Sequence, residues 1–195
     1  YTPGTYEVLA TDLSTHCFTW MDGEVMIMPG PIPYVMMPHG DTCPGATIRL
    51  NESEPGITYR LVWSRASVPV DTVISTGTGS GGPISFGTWY TEGTYYIVGI
   101  DSTTLCERVM TNSLHIFNAP TVYMVHPQGP ACAYMPVYLD SSQTNVMYRL
   151  IRNGTAFVSP PIQGTGGRIE FLPELEGTYT IIAWFINDNC QRLMD

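Results

Sequence analysis

The side chains of this 195-residue sequence that could do chemistry are five cysteines, four histidines and 17 carboxylates set against 8 basic residues. The cysteines fall on a pattern. Cys43 and Cys132 lie 89 residues apart, Cys17 and Cys106 lie 89 apart, and Cys190 follows Cys106 by 84. No two have the C-x-x-C spacing of a zinc or redox site, so disulfide formation in an oxidising compartment is the chemistry these thiols suit. His16, His39, His115 and His126 are scattered and read as solvated or locally bonded residues. His16 adjoins Cys17, but neither Cys106 nor Cys190 has such a neighbour, which argues against a repeated metal site. No nucleophile-elbow motif occurs, and the sequence reads as non-catalytic. Among the acids, Asp12 and Asp101 share the 89-residue spacing, but no calcium-loop pattern is present. No cofactor is expected; calcium between domains is the one ion the acidic turns could attract.

Around these residues the sequence repeats itself. Gly4-Thr5-Tyr6, Gly93-Thr94-Tyr95 and Gly177-Thr178-Tyr179 each open an apolar run, and a cysteine follows each glycine by 13 residues. Tyr59-Arg60-Leu61 recurs as Tyr148-Arg149-Leu150, again 89 residues later. Landmarks held in register define a tandem array of units of about 85–90 residues. The frame predicts a C-terminal strand pair of one repeat over 1–31, a complete repeat over 32–119 and a repeat without its last strand over 120–195. The chain is therefore expected to be a window on a longer array.

Within the complete repeat, short apolar runs separated by turn residues predict seven strands: Ile32–Met37, Ala46–Leu50, Ile57–Trp63, Val68–Ser75, Ile84–Phe86, Thr94–Ile100 and Val109–Phe117. Met135–Leu139, Val146–Arg152, Thr155–Val158, Ile169–Leu172 and Thr178–Ile186 repeat the order, with Asn153-Gly154 as a hairpin turn. Seven short strands and no helical pattern indicate an all-β sandwich. Two disulfide schemes remain open. Pairing within repeats gives Cys43–Cys106 and Cys132–Cys190. Five antiparallel passes between Cys43 and Cys106 would put them at opposite poles, however, beyond the ~7 Å a disulfide spans between Cα atoms, and would favour Cys43–Cys190.

Composition narrows the function. A net charge of −9 argues against nucleic acid, and no apolar run reaches the ~18–20 residues of a membrane span. All eight basic residues are arginine, which excludes lysine-based catalysis and lysine–asparagine crosslinks in this segment.

The Gly-Thr-Tyr strand opening, with Gly-Thr-Gly before it (Gly77-Thr78-Gly79; Gly164-Thr165-Gly166) and cysteine after it, resembles the immunoglobulin-like or PKD-like repeats of very large Bacteroidetes surface proteins, gliding adhesins among them. The resemblance implies tandem immunoglobulin-like sandwiches, type IX secretion, a cell-surface location and a fibre-forming or adhesive role. It makes Tyr6, Tyr95 and Tyr179 core rings whose hydroxyls bond backbone near a strand corner. It also points to Thr72 and Ser102, each after an aspartate, as O-glycosylation acceptors. Expected partners are neighbouring repeats, surface glycans or other cells. The competing reading is a carbohydrate-binding module using Trp63, Trp89, Tyr90 and Trp184.

Overall fold

The computed structural model describes residues 2–132, 134–173, 175–187 and 190–195, and no side chain is described at 68 or 69. It is all β. The chain opens with β1 (Gly4–Tyr6), β2 (Leu9–Thr11), β3 (Phe18–Trp20) and β4 (Val25–Ile27). β1 pairs antiparallel with β4, and β2 with β3 inside them.

Next come β5 (Met36–Met37), β6 (Gly40–Thr42), β7 (Ala46–Leu50), β8 (Ile57–Arg65), β9 (Val68–Thr78), β10 (Ile84–Trp89), β11 (Gly93–Asp101), β12 (Glu107–Val109) and β13 (Leu114–Ile116). They form a sheet of order β10-β7-β5 and a second of order β6-β13-β11-β8-β9, with β12 also on β11. That order is the immunoglobulin-like one: the second, third and penultimate strands distribute over two sheets as in that sandwich. Period-two alternation supplies its core, with Ile57, Tyr59 and Leu61 on β8 and Tyr95 and Ile97 on β11 all buried.

The remaining strands are β14 (Val125–His126), β15 (Val137–Leu139), β16 (Val146–Arg152), β17 (Ala156–Phe157), β18 (Ile162–Gln163), β19 (Ile169–Phe171), β20 (Tyr179–Phe185) and β21 (Gln191–Leu193). Their sheets, β14-β15-β19 and β17-β16-β20-β21 with β18 on β16, repeat the same order. Tyr148, Leu150, Ile181 and Leu139 are the centre of a second core. The chain divides into two compact units, Tyr1–Gly40 with Thr47–Thr88 and Thr94–Leu114, and Asp41–Ala46 with Trp89–Gly93 and His115–Asp195.

Three details differ from expectation. The final strand, expected as one piece over 109–117, is two. After β12 the backbone leaves β11 so that Thr111 N–H bonds Tyr34 O and Thr111 O accepts from Met36 N–H, and Asn112 at φ 73° turns it before β13 begins. The terminal segment, expected without its last strand, carries the first of these pieces as β21. The strand expected over 155–158 is β17, and a further piece, β18, pairs with β16 beyond it; Pro160-Pro161 separates the two because proline cannot donate to a ladder. The Asn153-Gly154 turn has both residues at positive φ (53° and 78°), the two-residue hairpin geometry.

Candidate functional site: repeated tyrosine and cysteine positions

Each sandwich carries one buried polar network, built twice from equivalent residues. In the first, Tyr59 on β8 is fully buried and its hydroxyl accepts the Glu54 N–H at 2.9 Å. Ser53, also buried, donates its hydroxyl to Gly82 O at 2.5 Å and accepts the Ser80 N–H at 3.1 Å. In the second, Tyr148 accepts the Gln143 N–H at 2.9 Å, and Ser142 bonds Gly167 O at 2.6 Å and Thr165 N–H at 3.0 Å. Burial, the largest cause, raises the pKa of both phenols. The chain passes so close that a Cβ on Gly79 would lie 1.9 Å from Glu54 O, and one on Gly164 would lie 2.1 Å from Gln143 O. The side chains of the same two residues steady the strand entry: Glu54 Oε2 accepts the Ile32 N–H and Gln143 Oε1 the Thr121 N–H.

This network corrects the sequence register. The motif that repeats structurally is Gly79-Ser80-Gly81-Gly82 with Gly164-Thr165-Gly166-Gly167, not the two Gly-Thr-Gly triplets. Gly79 and Gly164 are 85 apart, so four of the five missing residues fall between the β8 and β9 equivalents of the two sandwiches.

The three repeat tyrosines occupy the start of the penultimate strand. Tyr6 donates its hydroxyl to Thr2 O at 2.7 Å and Tyr179 donates to Leu175 O at 2.5 Å, each four residues back. This is the tyrosine-corner geometry of immunoglobulin-like domains. Tyr95 is fully buried. The glycine two residues ahead has φ of 152°, 146° and 152° at Gly4, Gly93 and Gly177, a conformation other residues rarely adopt.

The cysteines follow two structural positions. Cys17, Cys106 and Cys190 each stand one residue before the strand that pairs back, β3, β12 and β21. Cys43 lies between β6 and β7, and Cys132 is its counterpart. Cys43 and Cys190 are bonded, with Cα atoms 5.2 Å apart across 147 residues, and both belong to the second unit. Cys17, Cys106 and Cys132 are free thiols. The within-repeat pairs Cys43–Cys106 and Cys132–Cys190 are not made. The loop of Cys43 is tied near the start of β11, where Gly45 N–H bonds Trp89 O at 2.8 Å. Cys106 follows that strand's far end at Asp101, and eight steps of extended chain span about 26 Å. Cys132 is exposed and lines a cleft of about 670 Å³ with Pro127, Tyr134, Met135, Pro173 and Leu175.

Asp12 and Asp101 have the same task. Asp12 Oδ1 accepts Ser14 N–H, Ser14 Oγ–H and Thr15 N–H at 2.8, 2.6 and 3.0 Å, and Asp101 Oδ1 accepts Thr103 and Thr104 N–H at 2.8 and 3.2 Å. Each caps the turn that delivers a cysteine. The Ser14 hydroxyl first, then the Thr15 and Ser14 amides, holds the Asp12 carboxyl at about 2. Backbone bonds from Thr103 and Thr104 lower Asp101. Their shared spacing thus has a structural cause apart from calcium. Among the described residues no three His, Cys, Asp or Glu side chains gather to hold a metal.

Thr72 and Ser102 are both exposed, Thr72 on β9 and Ser102 in the turn after β11, where its hydroxyl bonds Gly56 O at 3.3 Å. Beside Thr72, Asp71 accepts the Tyr96 hydroxyl at 2.5 Å, which pushes the Tyr96 pKa up to about 12. His126 lies 3.2 Å from Asp140 and stacks on Tyr138, while His115 meets Phe117 edge-on. Trp63, Trp89, Tyr90 and Trp184 stand on or next to three different strands, β8, β10 and β20, and of the four Tyr90 is freely exposed.

Strand order and the tyrosine corners define the chain as an immunoglobulin-like β-sandwich protein. No protein-family model matches the sequence, and no curated protein sequence does. Among solved structures, the chain is similar to the human OSCAR ligand-binding domain, at 15% identity over 86% of this chain and 95% of that one, with a TM-score of 0.33. It is also similar to the N-terminal four Ig domains of Dscam1 isoform 4.4 (10% identity, 98% of this chain, 53% of that one, TM-score 0.33). A third is the FN1–FN3 segment of chicken CNTN1 (9%, 92% and 70%, TM-score 0.31). The fold assignment rests on the strand order and not on these likenesses. No described helix is long and apolar enough to cross a membrane.

Proposed function

We propose that the chain is a structural tandem-repeat segment of a long extracellular fibre or cell-surface adhesin, without a catalytic role. Its repeat boundaries fall at 1–31, 32–119 and 120–195. The observation that supports this reading most is the recurrence of one hydrogen-bond set at the repeat spacing, Tyr59–Glu54 with Ser53–Gly82 and then Tyr148–Gln143 with Ser142–Gly167. A scaffold network copied this closely serves the unit's shape. The Cys43–Cys190 bond fits an oxidising, extracellular compartment. The Bacteroidetes surface-protein likeness extends the proposal to type IX secretion and to O-glycans on Thr72 and Ser102, whose exposure leaves them open to a transferase. Two measurements test it. Antibodies to this segment should label filaments at the surface of native cells, and glycopeptide mass spectrometry should find hexose on Thr72 or Ser102. Specific retention on a glycan array without filament labelling would replace the structural reading with the carbohydrate-binding one.

A further inference from the structure

The disulfide joins two cysteines of different structural position. Cys43 belongs to the position between β6 and β7, which Cys132 repeats 89 residues on. Cys190 belongs to the position one residue before the returning strand, which Cys17 and Cys106 share. The sharing extends to the backbone. Asp12 N–H bonds Cys17 O at 2.9 Å and Asp101 N–H bonds Cys106 O at 3.0 Å, and the residue before each cysteine, His16 or Leu105, has φ near 60° (62° and 58°). The bond made is therefore one cysteine of each kind. It skips the first residue of the second kind that follows Cys43 in the chain, Cys106, for the one 84 residues later. Three thiols are left over: one of the first kind, Cys132, and two of the second, Cys17 and Cys106.

We propose that these are unmatched halves of the same link: Cys132 bonds the Cys190-like cysteine of a further repeat of this kind, and Cys17 or Cys106 receives a Cys43-like cysteine from another. A link with unlike halves is heterologous and propagates head to tail instead of closing a pair. Cys132 and Cys17 are both exposed, so both can be reached by a second molecule. The chemistry is thiol–disulfide exchange with a small-molecule disulfide as oxidant. The thiolate of one cysteine attacks oxidised glutathione and releases one glutathione thiolate. The second cysteine's thiolate attacks the mixed disulfide and releases the other. Two protein thiols are oxidised to one disulfide, one glutathione disulfide is reduced to two glutathione thiols, and the two protons lost by the cysteines end on the glutathione sulfurs. The inference rests on the tandem-repeat reading above, though not on where the fibre or adhesin resides.

Complementation in trans tests it. Cys132→Ser retains only halves of the second kind, and the double variant Cys17→Ser/Cys106→Ser retains only the first. Both keep Cys43–Cys190, which peptide mapping of each variant verifies together with far-ultraviolet circular dichroism. In a glutathione redox buffer each variant alone should stay monomeric on a non-reducing gel. The equimolar mixture should give a covalent dimer, at least tenfold more abundant than in either sample alone, whose linked peptides join Cys132 to Cys17 or Cys106. The unsubstituted chain should give a ladder of multimers. Like-with-like dimers in equal yield, Cys132–Cys132 or Cys17–Cys106, would overturn the proposal, as would a mixture that stays monomeric. Filament labelling with no mixed dimer would sink the link and leave the structural reading; a mixed dimer from a glycan-retained chain would do the reverse.

Discussion

Residues 4–27 and residues 93–116 contain the same strands in two settings. In both, the central strands pair in one register: Leu9 faces Trp20 as Val98 faces Val109, and Thr11 faces Phe18 as Ile100 faces Glu107. In both, the residue after the returning strand bonds back, Met21 N–H to Val8 O at 2.9 Å and Met110 N–H to Ile97 O at 2.8 Å. Burial is where they part. Tyr6 is 45% exposed and Tyr95 0%; Val8 is 65% and Ile97 0%; Val25 is 64% and Leu114 0%. The ribbon's register is thus written locally, in the aspartate-capped turn, the left-handed residue before the cysteine and the high-φ glycine. Its apolar face is covered only where β5, β7, β8 and β10 complete the sandwich. Burial on this scale decides stability, because each fully covered large side chain is worth about 1.5–3 kcal/mol.

The largest expected effect separates the two settings directly. Tyr95→Ala should cost about 4 kcal/mol, as removal of a buried aromatic does, whereas Tyr6→Ala should cost less than ~0.5 kcal/mol. Urea denaturation measures both, and equal losses would mean that the first ribbon is covered as the second is. Next, Gly79→Ala and Gly164→Ala should each cost about 3 kcal/mol, because a methyl cannot share space with a backbone oxygen. Gly82→Ala, with nothing within 4 Å of its Cβ, is the control and should stay near wild type. Matched losses at 79 and 164 would sharpen the equivalence of the two sandwiches, and a benign Gly164→Ala would break it. Third, Ser53→Ala and Ser142→Ala should each cost about 2 kcal/mol in thermal or urea unfolding, since each removes two part-buried hydrogen bonds made by a buried hydroxyl.

The smallest effect is that of pH on the capped turns. The folded pKa of Asp12 and Asp101 lies below the unfolded value, so their contribution is complete above about 4 and fades as acid protonates the folded carboxyl, near pH 2 for Asp12. The protection of the Thr15 and Thr104 amides, their exchange relative to an unstructured chain at the same pH, should fall over that window. Asp12→Asn should speed exchange at Thr15 already at neutral pH, and an unchanged rate would show the turn to be held by something other than the carboxylate.

The main strands were legible because period-two alternation and turn residues mark them: β7, β8, β16 and β20 lie within two residues of where the sequence puts them. β6 was not, since Gly-Asp-Thr has no apolar face and exists as a strand through pairing with β13. The break between β17 and β18 had its signal in Pro160-Pro161. The Gly-Thr-Gly triplets misled because identical letters sit two residues out of structural register; the close approach to Glu54 O and Gln143 O, which fixes glycine at 79 and 164, is a long-range contact that spacing cannot reveal. The repeated aspartates read as a metal hint because carboxylates that cap turns and carboxylates that bind calcium look alike in one dimension. Neither of the two open cysteine schemes could be chosen until β11 was seen to hold the loop of Cys43 at one end and the turn of Cys106 at the other.

The Cys43–Cys190 bond also sets how the molecule would carry tension. A force pulling on the two ends enters along the first strands, reaches Cys43 and crosses to Cys190 through a covalent bond, so the stretch between them stays slack. Both sandwiches could lose their hydrogen bonds without lengthening that part of the tether. Reducing the bond would release 147 residues of hidden length, roughly 500 Å at full extension. In a single-molecule stretching trace, addition of a reductant should therefore appear as new extension events where the oxidised chain gives few, because one sulfur–sulfur bond keeps that slack in reserve.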